Sequence, residues 1–168
     1  NILNQALEQG FVDEKIQFVD STHVKAHANR HKNKKVTIEK KARRYQAQLD
    51  KEIAQEREEN GKKPLKEKED KERQTIVQST TDPESGLFHK GEHKEVFAYC
   101  VETSCDKNGW ILAYKSFPGN LHDSTTFLPF YEEKLKKMKP QKIVMDAGYK
   151  IPAIAKTLID DKILPVFP

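Results

Sequence analysis

The sequence predicts an α/β fold built on a mixed β-sheet, and three observations predict it. Two short, largely apolar stretches each run into an aspartate, Ile16-Gln17-Phe18-Val19-Asp20 and Lys142 to Met145 before Asp146, as buried strands do. Between them, two stretches rich in β-branched and aromatic residues flank Asp106-Lys107-Asn108-Gly109, a hairpin signal. Amphipathic helical stretches then separate the later strands. Strand–helix crossovers imply parallel neighbours and the hairpin an antiparallel pair.

Taken in order, Ile2, Leu3, Ala6 and Leu7 have helical spacing and Gly10 follows at a favoured C-cap position. Residues 1–10 therefore read as the tail of an upstream helix. The first strand ends at Asp20. From Val36 to Ala54, Ile38, Ala42, Tyr45, Leu49 and Ile53 form one apolar stripe of a helix. Fourteen of the twenty residues from Gln55 to Gln74 are charged, so 36–74 is predicted to be an exposed, charged helical insertion after the first strand.

Thr75 to Gln78 restores a strand pattern, and Asp82-Pro83-Glu84-Ser85-Gly86 is a turn sequence. The hairpin strands are Val96–Thr103 and Trp110–Phe117. Asp123-Ser124-Thr125 offers an N-cap, with Asp123 as the capping residue, for a helix whose stripe is Phe127, Leu128, Tyr131, Leu135 and Met138, ended by Pro140. A strand at Lys142–Met145, a helix over Ile151–Ile159 and a strand at Ile163–Phe167 complete a five-stranded sheet. In one permitted topology the first strand and the Lys142–Met145 strand lie parallel and adjacent.

At 168 residues the chain fits one domain, 1–168. Charged residues make up 33% and mean hydropathy is −0.83, with the polar excess concentrated rather than spread. Residues 25–51 hold ten Lys or Arg against Glu39 and Asp50, in a chain of net charge +4. Such a stretch suits a polyanion partner, or a solvated helix face. No apolar run reaches the roughly 20 residues of a membrane span. Cys100 and Cys105 suit reduced thiols in an intracellular protein, with a bridge between them as the alternative. Without an initiator Met, and ending on Leu164-Pro165-Val166-Phe167-Pro168, the chain reads as part of something longer.

Asp20 and Asp146 end two strands that this topology brings together. Converging carboxylates repel unless a cation neutralises them, and hard oxygen ligands favour Mg²⁺ or Mn²⁺. Two such ions ~4 Å apart can clamp the attacking and leaving oxygens of a phosphodiester displacement. Asp123 is read as an N-cap or as a supporting group near the metal, and His122 as a phosphate contact or an ordinary surface histidine. His23, His27 and His31 recur every four residues and raise a zinc alternative, against which Lys25, Arg30 and Lys32 would repel a cation. Lys150 is a candidate DNA contact or a solvated lysine.

Four stretches carry a family resemblance: Phe18-Val19-Asp20-Ser21-Thr22-His23-Val24-Lys25-Ala26, Thr81-Asp82-Pro83-Glu84-Ser85-Gly86, Gly119-Asn120-Leu121-His122-Asp123-Ser124 and Val144-Met145-Asp146-Ala147-Gly148-Tyr149. Together with the strand order, they resemble insertion-sequence transposases with a DDE triad on a ribonuclease-H-like fold. The resemblance implies a ribonuclease-H-like sheet with flanking helices, metal-dependent DNA cleavage and strand transfer, and two Mg²⁺ or Mn²⁺ ions held by Asp20 and Asp146. It also implies transposon-end and target DNA as partners, homo-oligomers on that DNA, and a cytoplasmic, nucleoid-associated location.

The third acid, a Glu on a helix after the last strand, is expected beyond Pro168, so the fragment is expected to be inactive alone. Glu132, Glu133, Asp160 and Asp161 do not occupy its place in the pattern. Candidate DNA contacts are Lys25, Arg30, Lys32, Lys34, Lys35, Lys40, Lys41, Arg43, Arg44 and Lys150. Two alternatives stay open: a nuclease or resolvase of the same fold, and a non-catalytic DNA-binding remnant.

Overall fold

A computed structural model describes residues 2–39, 51, 54–55, 57–59, 61–63, 73–90 and 94–168. The elements in chain order are α1 (Ile2–Glu8), β1 (Ile16–Lys25), β2 (Asn33–Glu39), β3 (Arg73–Ser79), β4 (Gly86–Lys90), β5 (Lys94–Cys105), β6 (Ile111–Pro118), α2 (Asp123–Phe130), β7 (Lys142–Val144), α3 (Pro152–Asp160) and β8 (Leu164–Val166). The chain forms two compact units, Lys35–Val77 and the remainder.

In the larger unit α1 ends on Gly10, whose φ of 74° permits the Schellman pair Gly10 N–H to Leu7 O and Phe11 N–H to Ala6 O. β1 then runs antiparallel to β5, from Phe18 opposite Cys105 to Lys25 opposite Ala98. The same stretch of β5 pairs with β6, so β1 and β6 occupy opposite edges of β5. On its other side β1 pairs in parallel with β7, and β7 in parallel with β8. The resulting order, β6-β5-β1-β7-β8 with only β5 reversed, contains the five expected strands and has the ribonuclease-H-like form. β4 extends the sheet along the first half of β5.

Alternation decides the faces. Gln17 and Val19 of β1 are buried while Phe18 and Asp20 are exposed. Beneath the buried face lie Phe127 and Phe130 of α2, Tyr131, Leu135, Tyr149, and Ile154 and Leu158 of α3, all close to fully buried. Gln17 avoids an unsatisfied amide by accepting from Ser104 Oγ at 3.0 Å and donating to the Glu14 carbonyl. α3 starts on Pro152 in its first turn, where the missing N–H costs nothing.

The structure departs from the expected elements in two places. The helix predicted to run to Met138 stops at Phe130 and continues as a π turn, Tyr131–Leu135, and a 3₁₀ turn, Lys136–Met138. Pro129 lies inside the helix, where it cannot bond back to the Thr125 carbonyl and its ring crowds that carbonyl, leaving the helix short of regular bonds near its end. Val36 to Glu39, expected to open the helical insertion, lie in β2, where the β-branched run Val36-Thr37-Ile38 is at home. In the smaller unit, β2 and β3 are hydrogen-bonded neighbours, and Lys51, 54–55 and 57–59 are helical. The stripe positions Ala42, Tyr45, Leu49 and Ile53, like Lys40, Lys41, Arg43 and Arg44, lie outside the described residues. Among the described residues no helix is long and apolar enough to cross a membrane.

Candidate active site

Every pair of the β1–β7 ladder is offset by 126 residues, as in Phe18 opposite Val144. Asp20 and Asp146 are separated by the same number. The ladder ends at Val144, so Asp20 lies two residues beyond the last β1–β7 pair and Asp146 two residues beyond the end of β7. Period-two alternation sets Asp20 on the exposed face with Phe18.

Each carboxylate is anchored through one oxygen. Asp20 Oδ1 accepts the Ser21 backbone N–H at 2.8 Å. Asp146 Oδ1 accepts the Gly148 N–H at 2.8 Å, making Asp146 the cap of a 3₁₀ turn, Ala147–Tyr149. A third carboxylate, Asp123, accepts through Oδ1 from Ser21 Oγ at 2.7 Å; Ser21 follows Asp20 in β1 and so lies on the alternate face of the strand. A Cβ placed on Gly148 would lie 3.1 Å from both Asp123 Oδ2 and Asp146 Oδ1, so these two acids approach each other across the bare glycine.

Asp123 was expected to cap α2, but His122 does so, its Nδ1 accepting the Ser124 N–H at 3.2 Å. Asp123 thereby becomes the first helical residue and is free to face Ser21. The expected phosphate-contact reading of His122 is joined by this local role, with Nδ1 also 2.9 Å from Ser124 Oγ.

Below these acids lies a residue that the sequence does not flag. Glu102 in β5 is fully buried, with Oε1 accepting from Thr126 Oγ1 and Oε2 from the Tyr149 hydroxyl at 2.9 Å. Burial pushes its carboxyl up to about 7; the two hydroxyl donors oppose that shift, and the nearby charges of Asp123 and Asp20 add to it. Cys100, Glu102 and Asp123 together place one ligand atom each within 4.8 Å of one another. Both Glu102 oxygens are engaged by hydroxyl donors and burial holds the Cys100 thiol protonated, pushed up to about 11, which leaves Asp123 Oδ2 as the free hard oxygen of the three.

The remaining acids behave differently. Glu132 pairs with Lys136, Glu133 with Lys115 and Lys134, Asp160 with Lys156, and Asp161 with Lys136 and the Tyr131 hydroxyl. Among the described residues no cation pairs with Asp20, Asp123 or Asp146, and the Oδ2 atoms of all three have no hydrogen-bond partner. Three hard oxygen donors without a balancing positive charge fit a divalent cation.

The three histidines do not gather. The His23 ring stacks on Phe88 with centroids 3.7 Å apart and its Nε2 faces the Gly119 carbonyl at 3.2 Å, while His27 and His31 are exposed. Lys25, Arg30, Lys32, Lys34 and Lys35 are exposed, Arg30 lying 3.6 Å from Glu95. Lys150 Nζ donates to the Pro168 carbonyl at 3.0 Å. Both cysteines are free.

Residues 12–168 match the family model described as the transposase DDE domain. The chain belongs to that family. The transposase domain so identified is of transposase or nuclease type, a polynucleotidyl transferase class whose partner is DNA and whose members usually use a divalent metal. No curated protein and no solved structure matches the chain.

Proposed function

We propose that this domain cuts DNA strands and joins them to new sites, with Asp20 and Asp146 holding two divalent cations, Mg²⁺ or Mn²⁺, and Asp123 as a supporting carboxylate. One observation carries the reading: Asp123 and Asp146 approach each other across Gly148, and they and Asp20 each keep an oxygen with no hydrogen-bond donor and no cation beside it among the described residues. Like charges so arranged are relieved by a bound metal.

Bound ions would supply Lewis-acid stabilisation of the attacking and leaving oxygens of an in-line displacement. The chain's own residues prepare that site. The Ser21 and Gly148 amides fix one oxygen of Asp20 and Asp146, and the Ser21 hydroxyl fixes Asp123, so each acid offers its second oxygen from a fixed rotamer. Exposed Lys25, Arg30, Lys32, Lys34 and Lys35 follow Asp20 along the chain and suit phosphate contacts that position the strand without reading its sequence.

In the full protein, Asp20→Asn and Asp146→Asn are each expected to lower Mg²⁺-dependent strand cleavage by about 10²–10³-fold or more, the scale of a lost transition-state stabiliser. Cleavage retained by both variants would overturn the proposal. An assay for joining a cut 3′ end to target DNA separates a transposase from a nuclease or resolvase with the same ions.

A further inference from the structure

Glu102 sits in the interior of β5 opposite Ser21 of β1, and its two oxygens serve two different elements. Oε1 takes the hydroxyl of Thr126, one turn after Asp123 on α2, and that hydroxyl also lies 3.1 Å from the Asp123 carbonyl. Oε2 takes the hydroxyl of Tyr149, the last residue of the turn in which Gly148 N–H anchors Asp146. The Tyr149 ring meets Phe127 of α2 edge-on, with centroids 5.8 Å apart. Glu102's strand neighbour Ser21 follows Asp20 and holds Asp123.

We propose that Glu102 is a positioning residue of the carboxylate site: through Thr126 and Tyr149 it holds α2 and the Ala147–Tyr149 turn at the spacing that brings Asp123 and Asp146 toward each other across Gly148. The inference rests on the cation reading of those acids and deepens it. Filling space is not a sufficient account of the residue. An apolar side chain would pack there without the cost of burying a carboxyl group, which is offset only when its oxygens are bonded. Both bonds go to elements bearing a site acid, beside the Phe127–Tyr149 ring contact that joins the same two elements.

Tyr149→Phe and Thr126→Val each remove one bond while keeping the buried shape. In the 168-residue chain at pH 7.5, Mn²⁺ titration followed by electron paramagnetic resonance is expected to show affinity reduced about 10-fold or more in each, the range for a lost partner of a metal ligand. Glu102→Ala is expected to lose at least as much. Glu102→Gln is expected to recover most of it, because its amide nitrogen can donate to Thr126 Oγ1, whose proton turns to the Asp123 carbonyl, while its amide oxygen still accepts from Tyr149.

Wild-type Mn²⁺ affinity in both Tyr149→Phe and Thr126→Val, with unchanged circular dichroism, would overturn the role. If Asp20→Asn and Asp146→Asn also leave Mn²⁺ affinity unchanged, the cation reading itself has failed. Positioning is then decided without metal by hydrogen exchange at the Gly148 amide. Faster exchange in Tyr149→Phe, with the β1–β5 ladder unaltered, supports the tie, and unchanged exchange rejects it.

Discussion

Glu102 gives the site a pH dependence whose sign follows from its surroundings. In the unfolded chain a glutamate titrates near its ordinary value, about 4.3, and in the fold burial pushes this one up to about 7. Between those values the folded state binds the extra proton, so stability falls as pH rises, by up to about 1.4 kcal/mol per pH unit, and the full loss is reached above 7. Glu102→Gln has no such titration. Compared by urea unfolding without metal, the variant is expected to gain on the wild type from pH 5 to pH 8; a constant difference would refute the assignment. Nothing in Val101-Glu102-Thr103-Ser104 announces this burial, because α2 and the Tyr149 turn that cover it arrive from elsewhere in the chain. Asp20 and Asp146 stand out as candidates in the sequence because each follows an apolar run. His122 was not legible as a cap, since Asp123 beside it is the commoner capping residue and only the fold shows that its carboxylate is engaged with Ser21.

At the level of elements, the β5–β6 hairpin was readable from its Asn-Gly turn, and its closure depends on Asp106. This buried carboxylate accepts the Asn108 and Trp110 amides at 2.9 and 2.8 Å and the Asp13 amide at 3.2 Å. Burial alone would raise its pKa, but the amides outweigh it and hold it below the ordinary value. A depressed pKa contributes stability that is present above the unfolded value and lost as pH falls through the folded one. Asp106→Asn keeps one accepting oxygen but turns an amide N–H₂ toward the Asp13 or turn donors. A loss of about 1–3 kcal/mol at pH 7 is expected from the urea midpoint, shrinking in acid. β2 was illegible for the opposite reason. Its β-branched run is short and flanked by lysines, and the longer 3.6-residue period that begins in it outweighed the local β preference.

Across the whole molecule, charge and register divide the work. If exposed Lys25, Lys32 and Lys34 each neutralise a DNA phosphate, replacing all three by Gln is expected to flatten the slope of log affinity against log salt by roughly 2–3, at about 0.9 per contact. Affinity should fall alike on unrelated duplexes, and an unchanged slope would place the DNA elsewhere. The mixed topology was legible because hairpin and crossover signals leave few arrangements; the extension of the sheet by β4 was not, since Asp82 to Gly86 signals a turn without saying where the strand after it pairs. The parallel β1–β7 ladder holds the rest of the site together. It has only three residue pairs, yet it fixes where β7 ends against β1 and so where the chain delivers Asp146. A slip of one residue there would turn every side chain of β7 to the opposite face and carry the start of the next turn with it. Every acid would survive in the sequence, and the site would be gone.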